Sequence, residues 1–129
     1  MELIANGNPV TRLPSGTAVY VQVLRPDTSV FEVGVDSNDF YCLFSAVDGS
    51  RSEERLAIGG LAAAAGWRLE LSASAAECSL LGSAGGLIGT SLTVSTTEGT
   101  GLATVSLVAH SYGAIANVQG RFLDVEGRP

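Results

Sequence analysis

Asp36, Asn38, Asp39 and, further on, Asp48 are the densest group of hard oxygen ligands in the chain. Carboxylates and amides on short turns are calcium chemistry, since that ion collects about six to eight oxygens from flexible loops. The same residue types also make turns by capping their own backbone, and that plain structural role is the main expectation here. Asp36, Asn38 and Asp39 are carried forward as weak calcium candidates, and no cofactor is expected. The single histidine, His110, stands beside Ser111 and Tyr112. Serine hydrolysis would join that imidazole to an acid and to a nucleophile on a strained elbow, but the chain contains no Gly-x-Ser-x-Gly. His110 is therefore expected on a surface turn between the last two strands. Two of the thirteen acidic residues could meet as a glycosidase pair, yet such pairs line clefts that a small sandwich has little room for. No catalytic residue is assigned, and the chain is not expected to be an enzyme.

Two further features carry chemistry elsewhere. The run Gly82-Ser83-Ala84-Gly85-Gly86-Leu87-Ile88-Gly89 has the glycine content of a phosphate cradle, but a cradle needs a lysine, a hydroxyl and a helix after its last glycine. A strand follows instead, so the run is expected to be a flexible connection whose Leu87 and Ile88 dock on a neighbour. Cys42 and Cys78 lie 36 residues apart. Cys42 sits inside the apolar stretch Phe40 to Phe44, so two buried thiols are the favoured expectation and a bridge is the alternative.

Charge removes several function classes. All seven cations are arginine, so no lysine is present to form a Schiff base, a P-loop amine or a lysine–asparagine cross-link. The net charge of −6 and a sequence pI of about 4.5 repel phosphate backbones and anionic headgroups, so neither nucleic acid nor membrane is expected as a partner. Every apolar run falls short of the roughly 18 residues that cross a bilayer. Met1 to Gly7 has no basic and no apolar signal region, so nothing here is expected to direct export.

The elements that would hold these residues read as strands. Thr17 to Leu24 alternates Val19, Val21 and Val23 with Tyr20 and Gln22, then stops at Arg25-Pro26-Asp27. Val30 to Asp36 repeats the device with Phe31, Val33 and Val35, so the two make a hairpin. Phe40 to Val47 is apolar on both faces, as expected of a central strand or of an edge covered by a partner. Gly59-Gly60 argues against a helix after Ser52, leaving a short strand from Glu54 to Ile58 and a turn from Gly60 to Gly66. Trp67, Leu69, Leu71 and Ala73 alternate with polar residues and belong to a core. Glu77 to Leu81, Thr90 to Thr96 and the stretch from Thr97 to Ala109 complete the set. With 129 residues the chain has the size of one domain. It divides into an amino-terminal arm or edge strand over 1–14 and a single β-sandwich over 15–127. Runs at this spacing specify an all-β antiparallel sandwich of about seven to nine short strands.

The segment Thr97-Glu98-Gly99-Thr100-Gly101-Leu102-Ala103-Thr104-Val105-Ser106-Leu107-Val108-Ala109, followed by Tyr112-Gly113-Ala114-Ile115-Ala116-Asn117-Val118, resembles the carboxy-terminal half of bacterial immunoglobulin-like domains. These occur in adhesins of the intimin and invasin type and in phage virion proteins. Gly60-Leu61 and Trp67-Arg68-Leu69-Glu70-Leu71 are similar to a turn and strand of fibronectin type III domains. Cys42, Trp67 and Cys78 depart from the antibody spacing, so the resemblance implies no inter-sheet disulfide. It does imply an immunoglobulin-like sandwich with a structural role: a capsid decoration or cement protein, or a minor tail or fibre component, docking on other virion proteins or on copies of itself. Tyr20, Tyr41 and Tyr112 are the expected aromatic anchors, with Leu87 and Ile88 beside them. The alternative is a carbohydrate-binding or cell-surface adhesion domain.

Overall fold

The chain is described by a computed structural model over residues 2–6, 15–36, 39–57, 66–72, 74–82, 85–97, 102–111 and 124–128. Ten strands occur there: β1 (Glu2–Asn6), β2 (Thr17–Leu24), β3 (Val30–Asp36), β4 (Asp39–Ser45), β5 (Arg51–Ala57), β6 (Gly66–Leu71), β7 (Ala75–Leu81), β8 (Leu92–Ser95), β9 (Thr104–Ser111) and β10 (Asp124–Arg128). They form two antiparallel five-stranded sheets, one in the order β5-β4-β3-β2-β9 and the other β10-β1-β6-β7-β8. The chain is an all-β antiparallel sandwich. The first sheet runs β2 to β5 as an uninterrupted meander, whereas immunoglobulin constant domains split strands ABED from CFG. The likeness is thus one of architecture, not of strand order.

Period-two alternation explains the layers. Val19, Val21 and Val23 of β2, Phe31, Val33 and Val35 of β3, and Phe40, Cys42 and Phe44 of β4 line the inner face of the first sheet. Trp67 and Leu69 of β6, Ala76, Cys78 and Leu80 of β7, and Leu92 and Val94 of β8 belong to the same core cluster from the second sheet. Each large side chain so buried contributes about 1.5–3 kcal/mol of transfer free energy. The stretch read as apolar on both faces is β4, an interior strand between β3 and β5, so no partner is needed to cover its edge. Arg25 closes one end of the sandwich: its guanidinium lies 4.6 Å from the Phe31 ring centroid and donates to the Thr97 carbonyl at 2.6 Å.

Two expectations change. Glu2–Asn6 pairs with β10 on one side and β6 on the other, so this part of 1–14 is an interior strand rather than an arm or an edge. β5 begins at Arg51, not Glu54, because its charged residues need only one buried face. The glycine-rich run, read as a connection, is tied as a hairpin end at its described residues: the Gly82 amide donates to the Gly86 carbonyl at 2.8 Å, Gly85 to Gly82 at 2.9 Å, and Ile88 to Leu80 at 2.8 Å. The turn read over Gly60 to Gly66 and the closing strand read over Tyr112 to Val118 lie outside the described residues, apart from Gly66.

One five-residue turn recurs. In Arg25 to Ser29, Arg25 and Ser29 are joined by an amide–carbonyl bond of 3.0 Å and Thr28 donates back to Arg25. In Ala46 to Ser50 the same two bonds recur. The fourth position is left-handed in both, Thr28 at φ 73° and Gly49 at φ 87°. Glycine adopts this conformation without steric cost, while a β-branched residue is strained there. Thr28→Gly is therefore expected to stabilise the fold by about 0.5–1 kcal/mol, and an unchanged or lower melting temperature would count against the strain. In each turn an aspartate, Asp27 or Asp48, accepts from the amide of the serine two residues on at 2.9 Å and from its hydroxyl at 2.6 Å. These bonds hold both carboxyls below the ordinary aspartate value, the serine hydroxyl being the largest cause. A depressed folded-state pKa gives stability that is complete above the unfolded value and is lost as pH falls through the folded one. Melting temperature is thus expected to be level with respect to these two groups at neutral pH and to fall as pH drops below 3.8, less steeply in Asp27→Asn/Asp48→Asn.

Candidate functional site

Asp36 and Asp39 do come together, but around a cation the chain supplies. Arg55 Nη1 lies 2.6 Å from Asp36 Oδ2 and 3.2 Å from Asp39 Oδ2, and its Nη2 is 2.9 Å from Glu53 Oε1. The other Asp36 oxygen accepts the Asp39 amide at 2.8 Å. The hydrogen bond to Asp36 is the largest of the effects that push the Arg55 pKa further up, so the guanidinium stays charged at any working pH. Asn38 lies outside the described residues. Among the described residues no three His, Cys, Asp or Glu side chains are grouped to hold a metal. Arg55 takes the place a calcium ion would need, and its position on β5, opposite Tyr41 of β4, could not be read from the spacing of Asp36 and Asp39. The Arg55 side chain is 42% exposed, so Arg55→Ala is expected to cost no more than about 1 kcal/mol. Neither EDTA nor added calcium is expected to move the melting temperature, and a calcium-dependent rise would restore the cation site.

The expected anchors divide. Tyr20 and Tyr41 are only 7% and 5% exposed, which removes them as surface anchors. Gly34 stands between them in register, paired with Tyr20 of β2 and Tyr41 of β4. A Cβ on Gly34 would collide with the Tyr20 Cβ and lie 2.5 Å from the Val19 carbonyl oxygen, so only glycine lets β2 approach β3 this closely. Ala18, Tyr20, Tyr41 and Leu43 form a second buried cluster on the outer face of the first sheet, with Val108 packed against it. Ile88 packs on the main core, whereas Leu87 is half exposed and remains available to a neighbour. Tyr112 lies outside the described residues. His110 belongs to β9, opposite Ala18, rather than to a turn.

Cys42 and Cys78 are bonded to each other, with Cα atoms 5.8 Å apart, which overturns the expectation of thiols. One sulfur comes from β4 and the other from β7, so the bridge ties the two sheets together. Sequence reasoning weighed compartment above geometry. Both cysteines occupy inward positions of their strands, and that shared parity was the available signal.

The feature that residue types did not single out is β9. It pairs with β2 along its whole length, Val105 with Val23, Leu107 with Val21 and Ala109 with Val19. The β2 members of these pairs are buried, yet Val105 is 43% and Leu107 52% exposed, and Leu102 just before the strand is 94% exposed. β9 therefore presents an apolar row to solvent beside the buried residues of β2. From Leu102 to Ser111 there is no acid and no arginine. Among the described residues no strand pairs with the outward edge of β9. The chain matches no protein-family model, no curated protein and no solved structure.

Proposed function

We propose that this chain is a non-enzymatic structural module, a phage virion protein of the capsid decoration or cement type or a minor tail or fibre component, which docks on neighbouring subunits. The edge strand β9 carries this reading. It presents eight residues of backbone together with an uncharged apolar row, and a sheet edge of this kind gains both main-chain hydrogen bonds and apolar burial from an added strand. The other features fit a passive part. The oxygen cluster at Asp36 and Asp39 is neutralised by the chain's own arginine, and the inter-sheet disulfide suits a particle that spends its working life outside a cell. Burial of Tyr20 and Tyr41 withdraws these two rings from docking and from sugar binding alike, so the proposal stands on β9 and not on the tyrosines.

The test is co-sedimentation with purified capsid shells and tails, run beside a glycan array. Saturable binding to shells or tails, lost in Leu107→Lys, supports the proposal. Saturable sugar binding with no shell or tail binding overturns it.

A further inference from the structure

We infer that the strand taken up by β9 is the β9 of a second copy of this chain, so that two sandwiches join into one continuous ten-stranded sheet. The inference rests on the reading of β9 as the docking edge and names its occupant.

The choice among edges comes first. Among the described residues the two sheets leave four outward strands: β5, β9, β8 and β10. β5 carries Arg51, Glu53, Glu54 and Arg55, β10 carries Asp124, Glu126 and Arg128, and β8 is four residues long. Charge and shortness are the devices by which natural sheets refuse a further strand. β9 has neither, and no proline interrupts it. It is the edge left open to pairing.

The choice of occupant follows from charge and symmetry. A chain with net charge −6 repels its own copies, except where the approaching surfaces are neutral. Of the described edge strands, β9 is the one that is both uncharged and eight residues long, and it meets this condition for one copy as for the other. Antiparallel pairing about a two-fold axis normal to the sheet keeps inward residues opposite inward residues. With Leu107 on the axis, Leu107 meets its own copy, Val105 meets Ala109, Ser106 meets Val108 and Thr104 meets His110. Apolar residues then meet apolar residues along the whole inner row, and no pair sets like charges together. A strand pair alone buries less than the roughly 1,200–2,000 Å² of stable complexes, so the dimer forms and dissociates with concentration.

The test is sedimentation equilibrium of the purified chain over a concentration series. Wild type is expected to pass from monomer to dimer, and Leu107→Lys and Val105→Lys to weaken association at least tenfold while circular dichroism and melting stay unchanged. Leu107→Cys, on the axis, is expected to cross-link copies under mild oxidation, whereas Thr93→Cys on β8 associates as wild type does but forms no cross-link. A monomer at every concentration, or a dimer indifferent to Leu107→Lys, overturns the inference. A monomeric chain that still loses shell or tail binding with Leu107→Lys ends the self-pairing alone, and a dimer that binds no shell or tail ends the virion reading alone.

Discussion

Replacing both cysteines, Cys42→Ala/Cys78→Ala, is expected to lower the stability of the fold by about 4 kcal/mol. The bridge closes a loop of 36 residues, and chain entropy in the unfolded state grows with the logarithm of that length. Alanine is the informative replacement, because both positions are buried in the core and a serine would add an unpaired hydroxyl to the loss. At about 2–8 °C per kcal/mol for domains of this size range, the melting temperature should fall by on the order of 10–20 °C. Reductant added to the folded protein is expected to act slowly, since buried sulfur is reached only through opening of the sandwich. Urea unfolding of the oxidised protein and the alanine pair measures the difference. A gap below about 1 kcal/mol would mean that the loop is already constrained when the chain is unfolded.

Much of the sandwich could be read from the sequence because side chains in a strand alternate faces with a period of two. The stretches Thr17 to Leu24 and Val30 to Asp36 coincide with β2 and β3, and Pro26, Asp27 and Gly49 mark the turns that follow from their own backbone preferences. These are local facts, carried by residues within one or two positions of each other. What could not be read was non-local. The pairing of β1 with both β6 and β10 joins segments from opposite ends of the chain, and no periodicity in Glu2–Asn6 announces its neighbours. Tyr20 and Tyr41 look like surface aromatics because Gln22 and Asp39 stand two residues away with the same parity, but Gly34 lets β2 close tightly on β3 and the two rings share a buried cluster on the outer face. The exposure of β9 could not be read for a related reason. Val105 and Leu107 obey the same alternation as Val21 and Val23, and only the tertiary surroundings decide that the second pair is buried while the first is exposed.

Trp67→Ala is expected to cost about 3–5 kcal/mol, and its interaction with the bridge tests whether the core is one unit. Trp67 is fully buried and pairs in register with Leu80, while Cys78 pairs with Leu69. Trp67 and Cys78 are thus diagonal neighbours on the inner face of adjacent strands, a separation that an aromatic ring spans. Removing the indole leaves a void that the bridge prevents the two sheets from closing, since β4 and β7 cannot shift independently while their sulfurs are joined. Without the bridge the layers can settle into the space, and part of the cavity cost is recovered. Trp67→Ala should therefore be less damaging in the Cys42→Ala/Cys78→Ala background than in the wild type, by about 0.5–3 kcal/mol in a double-mutant cycle. Strict additivity would place the indole and the bridge in independently relaxing parts of the core. The sandwich would then be held shut by its apolar layers alone, with the disulfide acting only on the unfolded chain.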